Sequence, residues 1–202
     1  MDTPLPLAES ANLHFVTAQL AMGGDLSAYD HELAALQVTE ICQLGITHVV
    51  DVRIEWSDAQ TFADRAPHVQ YLHHGMDDAG QAVPPEWFEH AVSWIERAWA
   101  DDPEAVVLTH CHMGINRGPS LAFAVLLALG RDPVEAISAI RAARRQANVW
   151  YAADSLTWHH QRTGVDAETA AAQHTALAAW RQANQLDVVR IIREVNEQEE
   201  LA

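Results

Sequence analysis

The chain has 202 residues, 28 of them Asp or Glu against 12 Lys or Arg, for a formal charge of −16, and every basic residue is an arginine. Its 49% apolar and 20% charged shares fit a globular chain with a sizeable core, and its length fits one domain of about 100–200 residues with an appendage. This acidity excludes nucleic acid and anionic membranes as main partners, since both need a cationic footprint, and two cysteines, Cys42 and Cys111, make neither a disulfide framework nor a C-x2-C zinc pair.

The opening MDTPLPLAES has no basic n-region and no long apolar run, so no secretory leader is expected in it. Residues 13–22 read as two short strands, followed by the turn signal Gly23-Gly24-Asp25. The spacing of Leu33, Leu36, Ile41 and Leu44 predicts a helix over Asp30 to Leu44, stopped by Gly45. ITHVVDV (46–52) is a β-branched run suited to a strand covered on both faces. A further strand is expected over His68 to His73. A polar loop, GMDDAGQAVPP, then leads into a helix from Pro85 to Trp99 that carries Trp87, Phe88, Val92, Trp94 and Ile95. AVVLTH (105–110) is another buried strand and runs straight into CHMGINRGPS. Pro119 suits the first position of a helix that continues to Gly130, and Asp132 with Glu135 opens a capping-box helix over 133–146. The longest apolar stretch, Leu121 to Leu129, is about half of a bilayer span, so the protein is expected to be soluble and cytoplasmic.

From Asp166 the sequence turns Ala-rich. Asp187 is placed to cap a last helix with the stripe Val188, Ile191, Ile192 and Val195. That stripe carries no chemistry; packing on its own domain is favoured over a homodimer seam through this helix. Strands alternating with helices predict an α/β fold, a mostly parallel central sheet flanked by helices. The expected body spans 1–163, with a helical C-terminal extension over 164–202.

The segment with chemistry is His110-Cys111-His112-Met113-Gly114-Ile115-Asn116-Arg117. A tight loop feeding a helix N-terminus aims backbone N–H groups and the helix dipole at one point, which favours an oxyanion or a thiolate. Cys111 at its base is therefore expected to ionise more readily than an ordinary thiol. Arg117 can grip two phosphate oxygens bidentately, as lysine cannot, and Gly114 lets the backbone turn close to a ligand. His112, Met113, Ile115 and Asn116 are the variable substrate-facing positions.

H-C-x5-R resembles the signature of the cysteine-dependent protein tyrosine phosphatases, and its surroundings resemble their dual-specificity branch. VTAQLAMGG, ICQLGITHVVDVR, YLHHGMDD and GRDPVEAISAIRAAR resemble further stretches of that branch, in the same order, over most of residues 13–162. The resemblance implies a hydrolase in which Cys111 attacks phosphorus to form a phosphocysteine and Arg117 clamps the phosphate. It implies Asp78 as general acid, with Asp77 as runner-up, and His110 as a residue that hydrogen-bonds within the loop. It implies no cofactor and no metal. Where the family has Ser or Thr after the arginine, this chain has Gly118; Ser120, two residues on, is the nearest hydroxyl. Slow breakdown of the phosphoenzyme is expected on that ground.

The expected partner is a phosphorylated protein or a small phosphomonoester. The loop lacks Lys and Arg, and the acidic body repels polyanions. The rival readings are a phosphate-binding pseudophosphatase without turnover and another cysteine-loop enzyme, a sulfurtransferase or an arsenate reductase. Asp51 and Arg53 fit a local ion pair at a strand end better than the rim of the site. Cys42 reads as a core residue, and Trp56 is the candidate for stacking on substrate. His73 and His74 point to opposite faces of a strand and so cannot share one ion.

Overall fold

Strand β5 (Val107–His110), buried along its whole length, is the centre on which the other strands assemble. In the computed structural model, which describes residues 4–200, it pairs in parallel with β2 (Leu20–Gly23) and β3 (His48–Asp51). Beyond β3 lies β4 (Gln70–His73), also parallel, and beyond β2 lies β1 (Leu13–Thr17), antiparallel, so the order is β1-β2-β5-β3-β4. Alternate residues face opposite sides. Leu20, Met22, Val50 and Val107 enter the larger core beneath α3 (Pro85–Asp101), α4 (Arg117–Ala128), α5 (Pro133–Ala143) and α6 (Ala152–Thr163). Ala21, Val49 and Leu108 enter a smaller core beneath α1 (His31–Gln43) and α2 (Ala59–Arg65).

Several boundaries differ from expectation for local reasons. Helix α1 buries Ala34, Gln37, Val38 and Ile41, while Leu36 is 61% exposed. Gln37 takes a core position because its amide accepts from Ser27 N at 2.7 Å and donates to Ser10 O at 3.1 Å, leaving no polar group unpaired. Gly23 is the last residue of β2 rather than part of a turn, since it pairs with both Leu13 and His110. Helix α4 starts at Arg117, so Pro119 is its third residue and not its first. Helix α5 stops at Ala143, three residues early, because Arg144 turns extended. Helix α2 has one buried residue, Phe62, too few to set a period, and α6 also went unread.

Asp166 caps α7 (Ala167–Ala183), which packs on α5 and α6 and buries Leu177 in the larger core. Asp187 accepts from Arg190 N at 3.0 Å at the start of α8 (Val188–Glu200). Among the described residues, no helix is long and apolar enough to cross a membrane.

The parallel strands β2, β3, β4 and β5 end level, at Gly23, Asp51, His73 and His110, so their C-terminal ends form one rim. Behind that rim lies a buried ion network. Arg53 meets Asp51 through Nε at 2.9 Å and Nη2 at 2.8 Å, Asp58 at 2.6 Å and Asp25 at 3.3 Å. Tyr71 donates to Asp51 at 2.6 Å. Burial opposes the Asp51 charge, but the Arg53 hydrogen bonds and neighbouring positive charge outweigh it and hold the carboxyl down at about 2. His110 stands 3.9 Å from Asp51, yet burial pushes its imidazole down to about 4, so the ring is neutral at pH 7.

The pH consequence follows from linkage. An unfolded histidine takes up a proton near pH 6.5, whereas native His110 does so only near pH 4, so acid favours the unfolded chain throughout that window. Between pH 7 and 5, urea melts of the wild type should lose about 2 kcal/mol more unfolding free energy than those of His110→Gln. Equal losses in the two proteins would refute a neutral buried His110.

Candidate active site

At the rim, β5 gives way to α4 through residues 111–116, and the carbonyls of this loop are held from outside. His112 O accepts from Asp25 N at 2.9 Å. Met113 O and Gly114 O accept from the Arg144 guanidinium at 2.9 and 2.8 Å. Ile115 O accepts from Asn148 N at 2.8 Å and Val149 N at 3.2 Å. In a planar trans peptide the next N–H points opposite the C=O. The N–H groups of Met113, Gly114, Ile115 and Asn116 therefore face inward, over Cys111 at the base of the loop. Because a row of inward amides adds to the N-terminus of α4, the loop forms a cradle with the chemistry to take an anion.

Arg144 is the strut of this arrangement. It is buried, and its remaining contacts are Asn12 Oδ1 at 2.8 Å and the His14 ring at 3.0 Å. Burial pulls its guanidinium down to about 10, still charged at neutral pH. Gly114 makes the close approach feasible: its φ is +64°, and a Cβ there would lie 2.6 Å from Gly23 C and 2.7 Å from Arg144 Nη2.

Arg117 enters from the first turn of α4. Glu55 takes the end of its fork, at 2.8 Å from both Nη1 and Nη2, and Met76 O takes Nη1 at 3.0 Å. The Arg117 hydrogen bonds hold the Glu55 carboxyl down at about 2. Buried Arg117 Nε finds no hydrogen-bond acceptor among the described residues. Three of the five guanidinium hydrogens are thus occupied, leaving the Nε side for a bidentate anion.

Asp78 Oδ2 lies 3.7 Å from Arg117 Nε. Tyr151 donates its hydroxyl to Asp78 Oδ1 at 3.0 Å, and Asn116 Nδ2 lies 3.3 Å from Oδ2. Burial first, then the Asp78 charge, push the Tyr151 phenol up to about 12, so it remains a donor. The Asp77 carboxylate instead accepts from Asp78 N at 2.8 Å. Cys111, Arg117, Asp78, His112, Met113, Ile115 and Asn116 share one cavity.

The remaining candidates, and His112 at the cavity wall, are tied to structural partners. His110 lies behind the loop, contacting the Gly24 backbone and Asp51, because its strand position turns the ring toward the Arg53 network. His112 Nδ1 meets Asp25 Oδ2 at 2.8 Å, which ties the loop to that network, and the Trp56 ring sits edge-on to it at 5.0 Å. Ser120 Oγ donates to Asn116 O at 2.7 Å and accepts from Tyr151 N at 3.1 Å, so it braces the loop without facing the thiol. His73 bonds Arg53 O, while His74 stacks on Trp87 and His90. Among the described residues no group of three His, Cys, Asp or Glu is placed to hold a metal. Glu55, Arg144, Asn148 and Tyr151 went unread in the sequence; they are distant in the chain, and no local spacing marks them.

The family model described as "Dual specificity phosphatase, catalytic domain" matches residues 29–151. No curated protein matches the chain significantly in sequence. A mouse putative dual specificity phosphatase complexed with zinc tungstate superposes with a TM-score of 0.62 at 22% identity, over 80% of this chain and 96% of its own. Human DUSP28 gives 0.61 at 19% identity over 80% and 99%. PTPMT1 in complex with PI(5)P gives 0.61 at 15% identity over 76% and 97%. At such identities the likeness is one of fold.

The strut generates a direct test. Arg144→Met removes the donors to Met113 O and Gly114 O, and the affinity for inorganic phosphate, measured by calorimetry, should fall about tenfold or more. Unchanged affinity in a folded variant would show that the loop holds its shape without Arg144.

Proposed function

The chain belongs to the dual-specificity phosphatase family, and on that premise we propose that it hydrolyses phosphomonoesters through a phosphocysteine on Cys111. The observation that carries this reading is the convergence, in one cavity, of Cys111, the free side of the Arg117 fork and Asp78. The Cys111 thiolate attacks phosphorus as the phosphorus–oxygen bond to the carrier breaks, and Asp78 gives its proton to the leaving oxygen. Inward amides and Arg117 hold the equatorial oxygens through the transition state. Asp78 then takes a proton from water as that water attacks phosphocysteine, and inorganic phosphate and the thiolate are released. Tyr151 and Asn116 position Asp78, and Glu55 keeps the Arg117 fork turned toward the cradle.

The substrate class follows from charge. None of His112, Met113, Ile115 and Asn116 adds a fixed positive charge, and the body carries −16. Favoured substrates are single phosphates on neutral or basic carriers, a phosphotyrosine peptide or a small phosphomonoester, rather than the phosphoinositide named for PTPMT1.

Gly118 favours a second reading, phosphate binding without turnover. A Cβ at this position would lie 3.2 Å from Cys111 N and from His110 C. The glycine thus lets α4 sit close to the strand end, and the Ser120 hydroxyl is already spent on Asn116 and Tyr151. Neither Gly118 nor Ser120 then offers a hydroxyl to the departing thiolate.

Hydrolysis of an aryl phosphate separates the readings. Wild type should turn over and be inhibited by vanadate, Cys111→Ser should be inactive, and Asp78→Asn should lose about 10²–10⁴-fold in kcat. Turnover that survives Cys111→Ser would eliminate the thiol mechanism; tight phosphate binding by a wild type without turnover would leave a binding module. In stopped flow, release of the aryl alcohol should show a burst of one equivalent per Cys111, and a linear course at high enzyme concentration contradicts the role given to Gly118.

A further inference from the structure

The cavity above Cys111 has a wall from an unexpected part of the chain. Besides the loop and Asp78, it is lined by Ile192 of helix α8. Its volume is about 70 Å³, far below the 300–1,000 Å³ of ordinary ligand pockets. That is short of the room an aryl or peptidyl carrier needs beside its phosphate. We propose that α8 is a built-in occupant of the catalytic cleft, an autoinhibitory strap whose Ile192 sits where the carrier of the phosphate would lie.

Two observations beyond the cavity support this. The first is the attitude of the helix. Val188, Ile191, Ile192 and Val195 are half-buried, while Val189, Arg190, Arg193 and Glu194 are exposed. The apolar stripe is therefore the shielded side of the helix, and Ile192 on that side shares the wall of the cavity with Met113 and Ile115 of the loop.

The second is the anchoring of its approach. Arg181, near the end of α7, donates to Val149 O at 2.7 Å and Trp150 O at 3.1 Å, and Arg141 donates to Asn184 O at 3.0 Å. These bonds fix the joint between α7 and α8 against the segment whose Asn148 holds both Ile115 O and the Asn116 side chain. The hinge is thus tied to the outer wall of the cradle. The half-buried stripe is a modest contact, so the strap can yield to a ligand that offers more apolar surface.

The strap rests on the phosphatase reading for its meaning, and its test separates the two. In the 202-residue chain, Ile192→Asn removes the apolar side chain from the cavity wall, and Val189→Asn makes the same change on the exposed side of the helix. Iodoacetamide labelling is read by peptide mass at Cys111 relative to Cys42, half-buried on α1 on the opposite face of the sheet, alongside kcat/KM for an aryl phosphate. Ile192→Asn should label Cys111 about tenfold faster relative to Cys42 and raise kcat/KM in parallel, while Val189→Asn changes neither. Faster labelling without turnover in any form would support the strap and reject the phosphatase reading. Unchanged labelling in Ile192→Asn, or a fall in its kcat/KM below that of an active wild type, would overturn the strap and make Ile192 a passive or substrate-supporting wall.

Discussion

The site depends on one constraint: the carbonyls of residues 112–115 are held outward, which leaves the following amides facing in. None of the donors responsible belongs to the loop. Asp25 N comes from the stretch after β2, the Arg144 guanidinium from the end of α5, and Asn148 N from the segment before α6. A loop short enough to carry four inward N–H groups cannot satisfy its own carbonyls, so the fold has to supply partners on three sides. This accounts for the positive-φ Gly114 within the loop and for the buried Arg144 behind it. It also reconciles the proposed phosphate site with an acidic protein. The positive well is local, made of amides, the start of α4 and Arg117, and the surrounding −16 then acts on the carrier rather than on the phosphate.

The absence of lysine acquires a structural reading at the three most consequential arginines. Arg53 bridges Asp51, Asp58 and Asp25; Arg117 is shared between Glu55 and the cradle; Arg144 reaches Met113, Gly114, Asn12 and His14. Each uses several fixed directions of one planar group, which a single ammonium point charge cannot reproduce. Breaking the buried Arg53–Asp51 pair from one side strands a charge, so its contacts are worth more to the fold as a set than as individual bonds.

How much was legible in the sequence depended on whether a feature is local. Cys111, Gly114 and Arg117 lie within seven consecutive positions, and the strands leading to the site are apolar runs, so both could be read directly. Glu55, Tyr151, Asn148 and Arg144 reach the site only because the parallel strands end level and the helices return over them. No spacing along the chain encodes that. Asp78 and Asp77 are equivalent as letters; what separates them is the Tyr151 hydroxyl and the Arg117 side chain on one, and a local turn bond on the other. The resemblance implies hydrogen bonding by His110 within the loop, yet its strand position sends the ring toward the Arg53 network. The stripe on α8 reads as a period, and a period names a shielded face without naming its partner.

The central claim is that phosphate passes through the Cys111 thiolate, and the most direct measurement traps that species. Mixing the protein with a phosphotyrosine peptide, quenching in acid within milliseconds and mapping the digest should place one phosphoryl group on the peptide that contains Cys111 and none on the peptide that contains Cys42. Phosphate release with Cys111 unmodified at every time point would contradict the account and require water to attack the substrate directly.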